Sequence, residues 1–304
     1  MTITISQRGV EYKYPVVDMH AHLRDDVKYH TSIASKSGID FIVSMPNVTP
    51  CLDNVEAIRE YTRRQTIETT CKFAPTSAIT VGREGKKLVD VETIAPYVIG
   101  FTDDGNCLTD LGLLKDILGM DVWVMLHSGE DDPHDIWPRD TTEPEWVERY
   151  LDVNSDVQGK LYLQHLSRKE SVDLVYQAKR DRIPVTAETC PHYFKWTRDS
   201  MRVPVNPPIG SREDRDAIRE GLSDGTIDII ASDYAPEPRP KTTGIADWEN
   251  YLNSCRGLLD DGMVTEEQLR SLLYEKPLEI LRTSSGYSCR NINIDPVLDP
   301  VINF

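Results

Sequence analysis

The chain has 304 residues, 39% hydrophobic and 28% charged, with a formal net charge of −16. That length supports one large core or two modest domains, and the acidic balance speaks against nucleic acid or an anionic membrane as partner, since both need a basic surface. No apolar run approaches a membrane span, no basic-then-apolar leader opens the chain, and the six cysteines form no Cys-x-x-Cys pair, so they read as reduced thiols of a cytoplasmic protein.

In chain order, short apolar runs alternate with helical patterns. Strands are expected over 16–22, 40–45, 71–78, 97–102, 122–127, 160–165, 184–187 and 227–232. Helices are expected over 27–37, 54–66, 85–94, 108–118, 143–151, 169–179 and 212–222. After Ala246 the pattern is helical again, over 252–259 and 266–281, and a Ser/Gly/Asn/Pro-rich surface tail runs from Thr283. Strict β-α alternation implies parallel strands covered by helices, and roughly eight repeats over roughly 250 residues match a (β/α)8 TIM-type barrel. A doubly wound sheet is the alternative, but no Gly-x-Gly-x-x-Gly opens the first helix. The expected organisation is a single barrel domain, 1–304, with C-terminal helices and the tail. The longest irregular stretches, 128–142, 189–210 and 235–243, are candidates for functional loops.

The first strand carries the chemistry that the rest of the chain must explain. Val16-Val17-Asp18-Met19-His20-Ala21-His22-Leu23-Arg24 places Asp18, His20, His22 and Arg24 on one face if the strand alternates with period two. Imidazoles at i and i+2 can reach one metal ion. A solvated edge strand is the competing reading. Against it, His127 follows Val124-Met125-Leu126, and His165 follows Tyr162-Leu163-Gln164, so four of the seven histidines close predicted strands. In a barrel those ends converge on one rim. Phe101-Thr102-Asp103-Asp104-Gly105 and Ala231-Ser232-Asp233 add carboxylates at two further strand ends. A carboxylate can bridge cations or act as a general base toward a bound water, although at least one of Asp103 and Asp104 also reads as a turn residue. His30, His134 and His192 fall in helix or loop positions and are not taken as ligands.

With these pieces in place the chain resembles the dihydroorotase branch of the amidohydrolase superfamily, in its longer bacterial and archaeal form. The resemblance is carried by the 18–24 segment, Met45-Pro46-Asn47, Asp103-Asp104-Gly105, His127-Ser128-Gly129-Glu130-Asp131 and His165-Leu166-Ser167-Arg168, then Glu188-Thr189-Cys190-Pro191-His192, Asn206-Pro207-Pro208 and Asp233-Tyr234-Ala235-Pro236, in the family's order. It implies a zinc-dependent cyclic amide hydrolase that interconverts carbamoyl aspartate and dihydroorotate in pyrimidine synthesis. It also implies one or two zinc ions held by His20, His22, His127 and His165, with an aspartate bridging. Asp104 is taken here over Asp103. Asp233 corresponds to the catalytic acid/base working with a metal-bound hydroxide. Arg24 and Asn47 correspond to groups that hold the substrate carboxylate, and Asn206 to a further substrate contact. A planar guanidinium suits a carboxylate independently of the resemblance.

The chain departs from the family pattern in three places. Glu237 stands where the family has a carboxylate-binding His, and like charges about 4 Å apart repel by roughly 4 kcal/mol at an effective dielectric near 20. Asp25-Asp26 follow Arg24 in place of x-Pro-Gly. The length leaves no room for the family's β-sandwich domain. These departures keep two other readings open: a hydantoinase- or allantoinase-like cyclic amidase, and a low-activity homologue with a structural role beside aspartate transcarbamoylase. The expected partner is a small-molecule substrate, with a homo-oligomer or that transcarbamoylase association as candidates.

Overall fold

The apolar runs become short parallel strands, each buried on both faces as covered barrel strands must be. The computed structural model describes residues 4–7, 10–63, 71–129, 142–200, 204–236 and 244–284. An antiparallel pair, β1 (Thr4–Gln7) and β2 (Val10–Lys13), comes first. The sequence reading did not anticipate it. The barrel strands follow: β3 (Val17–Ala21), β4 (Phe41–Ser44) and β5 (Lys72–Pro75), then β6 (Trp123–Leu126), β7 (Lys160–Leu163), β8 (Val185–Thr189) and β9 (Ile229–Ile230). Pairing is parallel and in sequence order within β3-β4-β5 and within β6-β7-β8-β9.

Two bridging residues turn these arcs into a ring. Phe101 pairs with Ser77 on one side and Val124 on the other, supplying the strand expected over 97–102. Its start is not extended: residues Ala95–Tyr97 form a 3-10 turn around Pro96. Tyr234 pairs in parallel with Ala21, and the His22 amide donates to the Tyr234 carbonyl at 2.8 Å. The eight segments therefore close on themselves, which removes free edges.

Asp18 reinforces that closure. Fully buried, it accepts from the Ser232 amide (2.9 Å), the Ser232 hydroxyl (2.5 Å) and the Trp248 indole (2.7 Å). It thus ties the first barrel strand to the last, and a buried carboxylate with this many donors avoids the cost of an unpaired one.

Helices form where caps and apolar spacing agree. The first, α1 (Val27–Ser37), starts at Asp26, whose side chain accepts from the Tyr29 amide, and stops at Gly38 with φ 93°. The second is α2 (Val55–Arg63). The helix expected over 85–94 shrinks to α3 (Val91–Ile94) because Gly82 and Gly85, at φ 62° and 69°, turn the chain into a loop that pairs Thr80 with Leu88. The remainder are α4 (Leu111–Leu118), α5 (Glu143–Val157), α6 (Lys169–Arg180), the short α7 (Pro191–Lys195) and α8 (Arg212–Asp224). A Ser211–Asp214 capping box starts α8. Beyond the barrel lie α9 (Trp248–Asp260), α10 (Glu266–Arg270), a π-helical stretch at Ser271–Glu275 and α11 (Lys276–Thr283). The tail expected after Thr283 lies outside the described residues from 285 on. Among the described residues no helix is long and apolar enough to cross a membrane.

Candidate metal centre

Every ionisable residue selected from the sequence as a ligand or base stands at, or within three residues past, the carboxyl end of a barrel segment. His20 lies in β3 and His22 just beyond it; Asp104 follows Phe101; His127, His165 and Asp233 follow β6, β7 and β9. The ring brings these ends together although the residues span more than two hundred positions of sequence.

His20 is the hub. Its Nδ1 lies 3.0 Å from Glu188 Oε1. Glu188 Oε1 also accepts from the His165 backbone amide at 3.0 Å, and Oε2 accepts from the Tyr162 hydroxyl at 2.5 Å. A carboxylate has no hydrogen to give, so Nδ1 donates and Nε2 of the neutral ring carries a bare lone pair. That buried Nε2 has no hydrogen-bond partner among the described residues, yet lies 3.0 Å from Asp104 Oδ1 and 3.6 Å from Asp233 Oδ1. A lone pair facing two carboxylate oxygens is repulsive unless a positive charge sits among them.

The electrostatics say the same. Burial opposes charge on His20, but Glu188, Asp104 and Asp233 outweigh it and hold its pKa well above the ordinary imidazole value. Burial likewise pushes Asp104 and Asp233 upward, but His22 and His20 outweigh it and hold both below the usual carboxylate range. His127 and His165 are lowered, chiefly by burial. The centre therefore favours ionised carboxylates with one positive charge among them, which either a proton on His20 Nε2 or a cation in its place supplies.

The other groups complete the cluster. His22 Nε2 is 3.3 Å from Asp233 Oδ1 and 3.6 Å from Asp104 Oδ2. His127 Nδ1 and His165 Nε2 are 2.8 Å apart. The ligand atoms of His20, His22 and Asp233 lie within 4.8 Å of one another, as do those of His20, Asp104 and His165. The two groups share His20. Imidazole and carboxylate donors of this kind suit zinc and its first-row neighbours. The orphaned Nε2 and the donor set together fit a divalent cation.

The structure separates the two neighbouring aspartates. Asp103 accepts from the amides of Ile79 (2.9 Å) and Thr80 (3.0 Å) and from the Thr80 hydroxyl (2.5 Å), so it holds a loop. Asp104 is the one in the cluster. Arg83, which sequence reasoning passed over, supports it from behind by donating to the backbone carbonyl of Asp104 and, at 3.4 Å, to that of Asp103.

Arg24, Asn47 and Asn206 line the cavity over the cluster together with His22, Asp104, His127, His165 and Asp233. Its volume is about 210 Å³, below the ~300–1,000 Å³ of drug-sized sites and suited to a single-ring molecule. Asn206 Nδ2 is 3.3 Å from His127 Nε2, and its buried Oδ1 has no partner among the described residues. Glu237 lies outside the described residues, as does His134. His30 bonds to the Tyr234 hydroxyl at 2.9 Å.

Three site residues sit in the left-handed backbone region: Arg24 (φ 49°), His165 (φ 36°) and Asp233 (φ 47°). Such conformations cost about 1–3 kcal/mol each for non-glycine residues and cluster at functional sites. Here each aims a side chain into the cavity after its strand has ended.

No family model matches the chain. It is 30% identical to a dihydroorotase from Trichlorobacter lovleyi (strain ATCC BAA-1151 / DSM 17278 / SZ), over 98% of this chain and 80% of the relative. Among solved structures it superposes on the L-hydantoinase (dihydropyrimidinase) from Arthrobacter aurescens with TM-score 0.76 at 21% identity, covering 88% of this chain and 71% of that one. A dihydroorotase from Saccharomyces cerevisiae in complex with 5-fluoroorotic acid gives TM-score 0.74 at 15% identity, covering 88% and 84%. The closed ring is thus a TIM-type barrel, the fold it shares with these solved structures.

Proposed function

The chain belongs to the dihydroorotase family, and from that premise we propose that it is a zinc-dependent cyclic amide hydrolase interconverting dihydroorotate and N-carbamoyl aspartate, the ring-closing step of pyrimidine synthesis in the cytoplasm. The observation that carries the metal part of this reading is the bare Nε2 of His20 against Asp104 and Asp233. His20, His22, Asp104, His127 and His165 would hold one or two zinc ions. When bound, zinc supplies Lewis acidity and brings the pKa of a coordinated water toward neutrality.

Asp233 takes the role of acid/base. His20 and His22 hold it ionised, and its contacts with their rings go through Oδ1. In hydrolysis water adds to the ring carbonyl, Asp233 receives the proton the water loses, and the C–N bond breaks with that proton delivered to the departing nitrogen. Ring closure is the reverse. Arg24 lies on the cavity wall and supplies the fixed positive charge a carboxylated ring requires. Asn206 Oδ1, without a partner among the described residues, would accept from a ring N–H. The barrel and its C-terminal helices are taken as one domain.

The test is a parallel assay. Metal-analysed protein is offered dihydroorotate, carbamoyl aspartate, dihydrouracil, hydantoin and allantoin. The expected result is turnover of dihydroorotate and carbamoyl aspartate with kcat/KM at least a hundredfold above the rings that lack a carboxylate. Preference for dihydrouracil or hydantoin would replace this substrate with an uncharged ring and remove Arg24 as its clamp.

A further inference from the structure

Asn47, which the resemblance implies as a substrate-carboxylate ligand, is also bonded to the residues around the cluster. Its Nδ2 donates to Asp104 Oδ2 at 2.9 Å, and its Oδ1 accepts from Arg24 Nη1 at 3.0 Å. The same guanidinium nitrogen donates to the Asn47 backbone carbonyl at 3.2 Å. These neighbours fix which way the amide points. Reversed, it would set an oxygen against a carboxylate oxygen and an N–H against a guanidinium N–H.

The orientation decides the next bond. His22 Nδ1 lies 2.8 Å from Asn47 Oδ1, an atom with no hydrogen, so the imidazole must donate there. A neutral His22 then presents its lone pair at Nε2, the atom facing Asp233 Oδ1 and Asp104 Oδ2. Arg24, always charged, thus sets the Asn47 amide, and the amide sets the His22 tautomer. Glu188 does the same for His20 from the other side. Both lone pairs of Oδ1 and one of the two amide hydrogens are engaged, leaving Asn47 a single N–H to offer a substrate.

We propose that Asn47 is a positioning residue for the metal ligands His22 and Asp104, linking Arg24 to the metal centre, a role separate from any contact its remaining N–H makes with a substrate carboxylate. This rests on the reading of the His–Asp cluster as a metal site. Removing a group that orients a ligating histidine typically costs about 10–100-fold in metal affinity or activity. A group that only binds substrate would raise KM and leave the metal alone.

The experiment measures zinc retention by chelator competition, with no substrate present, in the parent, Asn47→Ala and Asn47→Asp proteins, with thermal melts to confirm folding. Steady-state kinetics follow at saturating zinc. The expected result is a zinc dissociation constant about 10–100-fold weaker in Asn47→Ala. Asn47→Asp keeps an acceptor for His22 Nδ1 but sets its second oxygen against Asp104 Oδ2, so its zinc retention is also expected to stay below the parent's. At saturating zinc, kcat should fall more than KM rises. Zinc retention equal to the parent in both variants, with the loss confined to KM, would overturn the proposal while leaving the metal site standing. A parent protein that retains no zinc would instead overturn the metal reading, and the proposal with it.

Discussion

Asp233→Asn should lower kcat by roughly 10²–10⁴-fold, the usual cost of losing a positioned general base. The substitution is nearly isosteric, so packing and the strained turn at φ 47° are preserved. An amide cannot take up a proton at neutral pH, so the change removes proton transfer and leaves zinc content as it was. Rate measurements at saturating substrate, with metal analysis of the same samples, check it. Activity within a few-fold of the parent would take Asp233 out of the mechanism.

Stripping the metal should do more. Dialysis against a chelator is expected to abolish turnover, with recovery on adding back one or two equivalents of zinc. The reason lies in His20: its Nε2 and the oxygens of Asp104 and Asp233 crowd a buried space that is stable only with positive charge in it. A ligand that binds only the folded state stabilises it by RT ln(1 + [L]/Kd), about 2.7 kcal/mol at a hundredfold excess over Kd. At about 2–4 °C per kcal/mol for domains of roughly 150–250 residues, and somewhat less for a larger one, stripped protein should melt several degrees lower. Full activity with less than a tenth of an equivalent of any transition metal would contradict the assignment.

The barrel was legible because strands buried on both faces read as continuous apolar runs, and Val122–Leu126 or Leu161–Leu163 could hardly be anything else. The histidines were legible because imidazoles closing such runs have no packing reason to recur. Asp103 and Asp104 were not separable, since adjacent residues carry the same signal and only the loop at Ile79–Thr80 decides which one it captures. Glu188 could have been found: an acid one residue before the end of a buried strand needs donors, and two of them proved to be His20 and Tyr162. The positive φ angle at Arg24 leaves no trace in residue type, and at His165 and Asp233 the several-fold enrichment of His and Asp in that region is too weak a signal to single out two positions. The role of Asn47 depends on the direction of one amide, which Arg24 and Asp104, from two separate segments, impose.

The most direct test of the account is an anomalous difference map, recorded above the zinc absorption edge on crystals of the parent protein grown with zinc. The account predicts one or two peaks at the carboxyl rim of the barrel, within coordinating distance of His20 Nε2, His22 Nε2 and an Asp104 oxygen, with His127 and His165 on the far side. No peak there, in crystals whose protein binds zinc in solution, or a peak only at other residues, would contradict it.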